Sequence, residues 1–262
     1  MKETVLRNET LLEGSAIVVA PPGRAQQGSD ASQRHERRFF GGMAVALTVT
    51  VFAGFAPTYY LNSFTEQPFA LTPLLHLHGA VFTSWMFLLV AQTSLIAADA
   101  RRLHMRLGLF GAILAALMTV LGPIVAVERT ATGQIADLGA PPLVFLAVPV
   151  VGMVVFAALV AAALYCRRRS PAAHKRLMLL ATLELVTAGV SRLPLVAEWG
   201  PLGFFAVTDA FVLAIVAYDI AALRRPHAAT LWGGAFFVAS QPARLAIGGS
   251  PLWLSFAGWL TS

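Results

Sequence analysis

The sequence predicts an all-α fold, a polytopic transmembrane bundle of about seven helices with its N-terminus in the cytoplasm. Three observations predict it. Of 262 residues, 57% are hydrophobic and only 12% are charged, against about 45–50% and about 25% in a soluble globular domain. The apolar residues come in runs of about 20, the number that a helix rising about 1.5 Å per residue needs to cross about 30 Å of hydrocarbon. The basic residues collect in alternate loops, as membrane topology sorts Lys and Arg.

Residues 1–36 are polar, with Pro21, Pro22, Gly23 and Gly28. They lack the apolar core and small-residue cleavage site of a signal peptide and are expected to form a disordered cytoplasmic tail. Residues 37–250 are expected to form the transmembrane domain. Hydropathy places its seven helices at roughly 39–61, 73–97, 105–127, 142–165, 174–194, 202–222 and 229–247, each about the length a bilayer needs. Thr72-Pro73 marks the start of the second: threonine caps a helix, and proline lacks an N–H where none is needed. Pro123, Pro149 and Pro242 fall inside apolar runs, where kinks are expected. Residues 251–262 hold a stretch too short to span, and they are expected to lie in the interface with Trp253 and Trp259 at headgroup level.

Sixteen of the 19 Lys and Arg residues fall on one side: Lys2, Arg7, Arg24, Arg34, Arg37 and Arg38 in the tail, and Arg101, Arg102, Arg106, Arg167, Arg168, Arg169, Lys175, Arg176, Arg224 and Arg225 around three alternate loops. The positive-inside rule makes that side cytoplasmic and the C-terminus external. Glu66, Glu128, Asp137 and Glu198 then lie in outer loops. The net charge of +6 is thereby a matter of topology, and nucleic acid is a poor partner for it. The single cysteine, Cys166, excludes an internal disulfide and any multi-cysteine metal or iron–sulfur site. No Walker loop, dinucleotide fingerprint, His-Glu-x-x-His, CxxCH or Gly-x-Ser-x-Gly is present, which removes the best-defined soluble chemistries and covalent heme attachment.

A charge within the hydrocarbon costs roughly 2.5–3.5 kcal/mol or more, so the ionisable residues inside spans point to function. Glu184 and Arg192 fall in the fifth predicted helix, Asp209 in the sixth, Gln241 and Arg244 in the seventh, and His76 and His78 in the first two turns of the second. Counted at about 1.5 Å per residue, His78, Asp209 and Gln241 lie roughly 8–11 Å below the outer surface with Glu184 slightly deeper, so they could share one layer. His76 and His78 are about 200° apart on a regular helix, so only one can face that layer. His78 is favoured, because it shares a face with Trp85 and Gln92, and Gly79 beside it admits a close neighbour. The expected site is a heme or divalent-metal centre, with His78, Glu184 and Asp209 as metal ligands, or a protonatable quinone pocket. The alternative is a network without a cofactor, in which Glu184 or Asp209 pairs with Arg192 or Arg244 to hold helices together. A second constellation is cytoplasmic: His104, Arg106, His174, Arg176 and His227 stand at the first turns of inward-to-outward helices. There they could contact an anion or lipid headgroups, or simply obey the positive-inside rule.

Leu75-His-Leu-His-Gly79, His104-Met-Arg-Leu-Gly108 and His174-Lys-Arg-Leu-Met178 together resemble segments of a loose group of uncharacterised bacterial multi-helix membrane proteins. Some of these are similar to respiratory oxidase assembly factors or b-type cytochromes. The resemblance covers roughly residues 72–192. It implies a bacterial inner-membrane location and a heme- or metal-related role carried by His76 or His78, His104 and His174. The sequence departs from a diheme b-type cytochrome, whose paired histidines sit at matched depth on facing helices, because His104 and His174 lie at the cytoplasmic rim. The leading expectation is therefore a heme- or metal-binding protein serving redox chemistry or assembly of a respiratory complex, in contact with lipids and with such a complex or a quinone. A carrier for a small lipophilic molecule and a structural subunit without cofactor are the alternatives.

Overall fold

The computed structural model describes residues 24–65, 70–134 and 140–262, with side chains from residue 31 onward. The expected tail over 1–23 and the loop acids Glu66 and Asp137 lie outside the described residues. Helix α1 (Arg24–Phe55) begins within the stretch expected as tail and ends in a single π turn, Ala56–Tyr60, followed by Asn62–Phe64. The π turn contains Pro57, whose ring cannot donate and crowds the preceding turn. Helix α2 (Pro73–Ala97) starts at the Thr72 cap, whose Oγ1 accepts from Leu75 N at 3.2 Å. Helix α3 (Arg101–Ala131) runs past Pro123 without a break. A short α4 (Pro142–Phe145) and α5 (Ala147–Cys166) share one apolar run that is interrupted at Leu146, one turn before Pro149; proline excludes the carbonyl four residues earlier.

Helix α6 (Pro171–Val190) is capped by Ser170, and a short α7 (Pro194–Ala197) follows it. Helices α8 (Gly200–Leu223), α9 (Ala228–Gly248) and α10 (Pro251–Thr261) complete the chain. Among the described residues there is no strand, and the fold is an all-α bundle.

The helix that sits at the centre is α6. It packs on α1, α5, α8 and α9, and Trp85 of α2 donates from Nε1 to Thr182 Oγ1 at 3.2 Å. Around it the contacts run α1–α2–α3–α5–α9–α8, and the ring closes where Phe39 and Phe40 of α1 pack on Tyr218 of α8. The α1–α6 crossing is close because both helices present glycine: a methyl on Gly54 would collide with the backbone of Gly189.

Five helical stretches, Ala31–Tyr60, Pro73–Ala97, Arg101–Ala131, Pro142–Cys166 and Gly200–Leu223, are long and apolar enough to cross a membrane, and exposed Val49, Phe87, Leu109, Val154 and Leu213 offer lipid an apolar face. The chain is therefore a multi-pass integral membrane protein. Helices α6 and α9, of 20 and 21 residues, are shorter and less apolar, because they carry Lys175, Arg176, Glu184, Gln241 and Arg244. Helix α10 seats Trp253 against Leu146 and Ala147, with its Nε1 donating to Leu143 O at 2.8 Å. Only Trp259 of the two expected interfacial tryptophans is exposed.

Candidate functional site

Of the residues expected in one outer layer, the structure joins four as two separate pairs. Arg244 of α9 grips Glu184 of α6 with both arms, Nη1 to Oε1 at 2.5 Å and Nη2 to Oε2 at 2.6 Å, and Nη2 also donates to Ser240 Oγ at 2.6 Å. All three residues are buried. The fork geometry matches a carboxylate, so the pair is specific as well as strong. Gly152 on α5 makes the space: a methyl there would collide with Glu184 Oε1. Separately, Gln241 Nε2 donates to Asp209 Oδ1 at 2.7 Å, linking α9 to α8.

The remaining three candidates stand apart. His76 is exposed near Tyr59. His78 turns inward, stacked on Phe82 with ring centroids 4.0 Å apart, and its Nδ1 is buried without a hydrogen-bond partner. Gly79 beside it meets the Tyr59 ring, which occupies the room that the glycine leaves. Arg192, just past the end of α6, lies 4.4 Å over the Phe55 ring and donates to Ala188 O at 2.5 Å. Its guanidinium is within electrostatic reach of His78 and of Arg129. The Thr58 hydroxyl in the π turn is buried and also has no partner. At the π turn the Tyr60 ring stacks on Phe52 and meets Tyr59 edge-on. Among the described residues, no three His, Cys, Asp or Glu side chains gather as a metal shell, and Glu184 and Asp209 direct oxygens to Arg244 and Gln241.

The basic end divides in a similar way. Arg176 is buried against Asp219 of α8, with Nε at 2.9 Å from Oδ1 and 3.2 Å from Oδ2 and with Nη2 also on Oδ1. Asp219 Oδ2 accepts further from Thr230 Oγ1 at 2.5 Å and from the His227 backbone N–H at 3.0 Å. Asp219 was not among the sequence candidates. The signal for it was available, because it is an acid inside the apolar run of the sixth predicted helix. His227 caps α9, its Nδ1 accepting from Ala229 N at 3.1 Å. Burial first, then the Arg176 charge, holds its imidazole below the usual histidine range.

Arg176 and His227 thus belong to one internal corner, while Arg106 is exposed and His104 and His174 face each other elsewhere, with ring centroids 6.4 Å apart. At the periphery Arg37 binds Asp99, whose carboxyl it holds below the usual range, and Lys175 binds Glu36. Compared with protein-family models, with curated proteins and with solved structures, the chain has no match.

Proposed function

We propose that the chain crosses a bacterial inner membrane seven times with its basic end in the cytoplasm, and that it binds a small lipophilic molecule bearing acceptor oxygens, of the quinone type. The site lies between the π turn after α1, the first turns of α2 and the end of α6. The observation that carries this reading is His78: a polar ring nitrogen shut away from water, with no partner, on an imidazole stacked on the Phe82 ring. An unmade buried hydrogen bond costs about 1–3 kcal/mol, which a ligand oxygen would recover. Thr58 and the Arg192 cation supply further donors, and flat apolar walls with a few polar groups are what small-molecule sites use. Such a ligand fits a protein acting beside a respiratory complex or in its assembly. Seven spans follow if α6 and α9 cross with the other five, their charges neutralised inside the bundle; the positive-inside rule then orients the ends.

The test is quenching of tryptophan fluorescence by a short-chain benzoquinone, with the protein in lipid nanodiscs. Saturable quenching weakened about 10-fold or more in His78→Leu, one lost charged or polar contact of about 1.4 kcal/mol, is expected. Unsaturable quenching, or identical binding in the variant, overturns the proposal. Heme or a divalent metal at His78, Glu184 and Asp209 has less support, because the two carboxylates are engaged; a Soret band that disappears in His78→Leu would replace the quinone reading with the heme one.

A second reading, a structural subunit without ligand, is favoured by the closed Glu184–Arg244 and Arg176–Asp219 pairs. It predicts no saturable binding by any lipophilic probe.

A further inference from the structure

His104 and His174 open α3 and α6 with the same His-x-Arg-Leu pattern, and the fold brings their rings together at the basic end, where α2, α3, α5 and α6 converge. His174 Nδ1 lies 2.9 Å from Ala163 O on α5. A carbonyl cannot donate, so the proton sits on Nδ1 and Nε2 carries the lone pair. A backbone carbonyl fixing the far nitrogen in this way is the usual support of a metal-binding imidazole. His104 Nδ1 is buried with no partner, and so is Gln92 Oε1, whose amide is anchored by Nε2 donating to His104 O at 3.2 Å. Two imidazoles thus stand side by side, each with a ring nitrogen that the protein leaves unpaired, and the Gln92 amide is anchored on the backbone of one of them.

The spacing discriminates between ions. With the metal–nitrogen bond of about 2.0–2.1 Å known for zinc as a guide and a ring centre about 1.1 Å behind the nitrogen, two rings aimed at one ion have centroids about 6.3 Å apart if coordination is linear and about 5.1 Å apart at a tetrahedral angle. The observed separation is 6.4 Å. The 83° between ring planes is no obstacle, since each ring can turn about a linear nitrogen–metal–nitrogen axis. Charge points the same way. Arg101, Arg102, Arg106 and Arg167 stand around this end, and they repel a singly charged ion half as strongly as a doubly charged one.

We propose that His104 and His174 hold one Cu(I) ion in linear two-nitrogen coordination, with Gln92 as a positioning residue that steadies His104. The site is distinct from the His78 region and does not depend on that reading.

The experiment uses full-length protein in detergent, stripped by a chelator and titrated anaerobically with Cu(I) against a chromophoric Cu(I) chelator, with Zn(II) in parallel. One equivalent of Cu(I) is expected, with two nitrogen neighbours by X-ray absorption, and affinity falling about 100-fold or more in His104→Gln or His174→Gln but unchanged in His35→Gln. Failure to withdraw Cu(I) from the competitor, undiminished binding in both variants, or Zn(II) bound as tightly as Cu(I) would each overturn the proposal. If a variant does not fold, Ag(I) protection of the unaltered protein from diethylpyrocarbonate decides it. Protection of His104 and His174 supports the site, and protection of neither refutes it.

Discussion

The α6–α8–α9 side of the bundle and the α1–α2–α3 side treat buried polar groups in opposite ways. On the first, Glu184, Arg176, Asp219, Asp209 and Gln241 all have partners, and the Asp219 carboxylate collects donors from α6, from α9 and from the backbone before α9. Among the described residues, Thr58, His78, Gln92, His104 and Glu128 on the second side each leave a buried atom without a partner, whereas the first side leaves only Arg244 Nε. A closed network specifies packing, while open donors and acceptors are capacity for something else to bind. The molecule therefore divides into a closed frame and a half whose buried polar groups are left open.

The sharpest way to break this division is Glu184→Ala, which strands Arg244 in the dry interior. A loss of about 3–5 kcal/mol is expected in reversible unfolding from mixed micelles, and Glu184→Met with Arg244→Leu should recover most of it. If Glu184→Ala costs no more than a change on the other side, the frame assignment is wrong. Gly152→Ala should come next, at about 1–3 kcal/mol, because the added methyl must displace the Glu184 carboxylate.

Acid should loosen the same half. The folded His227 titrates below its unfolded value near 6.5, so the folded state binds fewer protons in between. Stability is then complete above about pH 6.5 and declines as pH falls through the folded value. His227→Asn, which keeps a cap acceptor, should flatten that decline in a pH series of melting temperatures. On the open half, His78→Leu should change stability by less than about 1 kcal/mol, because it removes a polar atom that nothing satisfies, while weakening quinone-type binding about 10-fold or more. The smallest effect is expected for Asp99→Asn. Its pair with Arg37 is exposed, and any shift in melting should vanish at about 0.5 M salt.

Helix positions were largely legible in the sequence, since span length and cap residues such as Thr72 and Ser170 are local signals. The choice of partners was not. Two acids, two arginines and a glutamine at similar depth admit several pairings, and depth along a helix says nothing about which helices are neighbours. Helix α6 at the centre selects Glu184 with Arg244, and leaves Arg192 over Phe55. Asp219 lies near the basic end, apart from the outer layer, so depth does not group it with the other buried charges, and its partner Arg176 reads in the sequence as one more residue of the basic rim. The interruption at Leu146 is the expected effect of Pro149, whereas Pro123 is absorbed within α3. The inward turn of Trp253 depends on a contact with Leu143, 110 residues earlier, which no local pattern announces.

The central position of α6 has a consequence for biogenesis. Both side chains that neutralise its buried charges are made after it: Asp219 lies 43 residues downstream of Arg176, and Arg244 lies 60 residues downstream of Glu184. At about 5–20 residues per second, Glu184 waits roughly 3–12 s for its arginine. During that interval the hub of the bundle is its least membrane-soluble part, held at the insertion machinery or against α1 and α5 until α8 and α9 arrive. The order of synthesis thus makes the last two long helices the clasp that completes the fold, and a chain stopped before α9 should be recognised as unfinished and degraded.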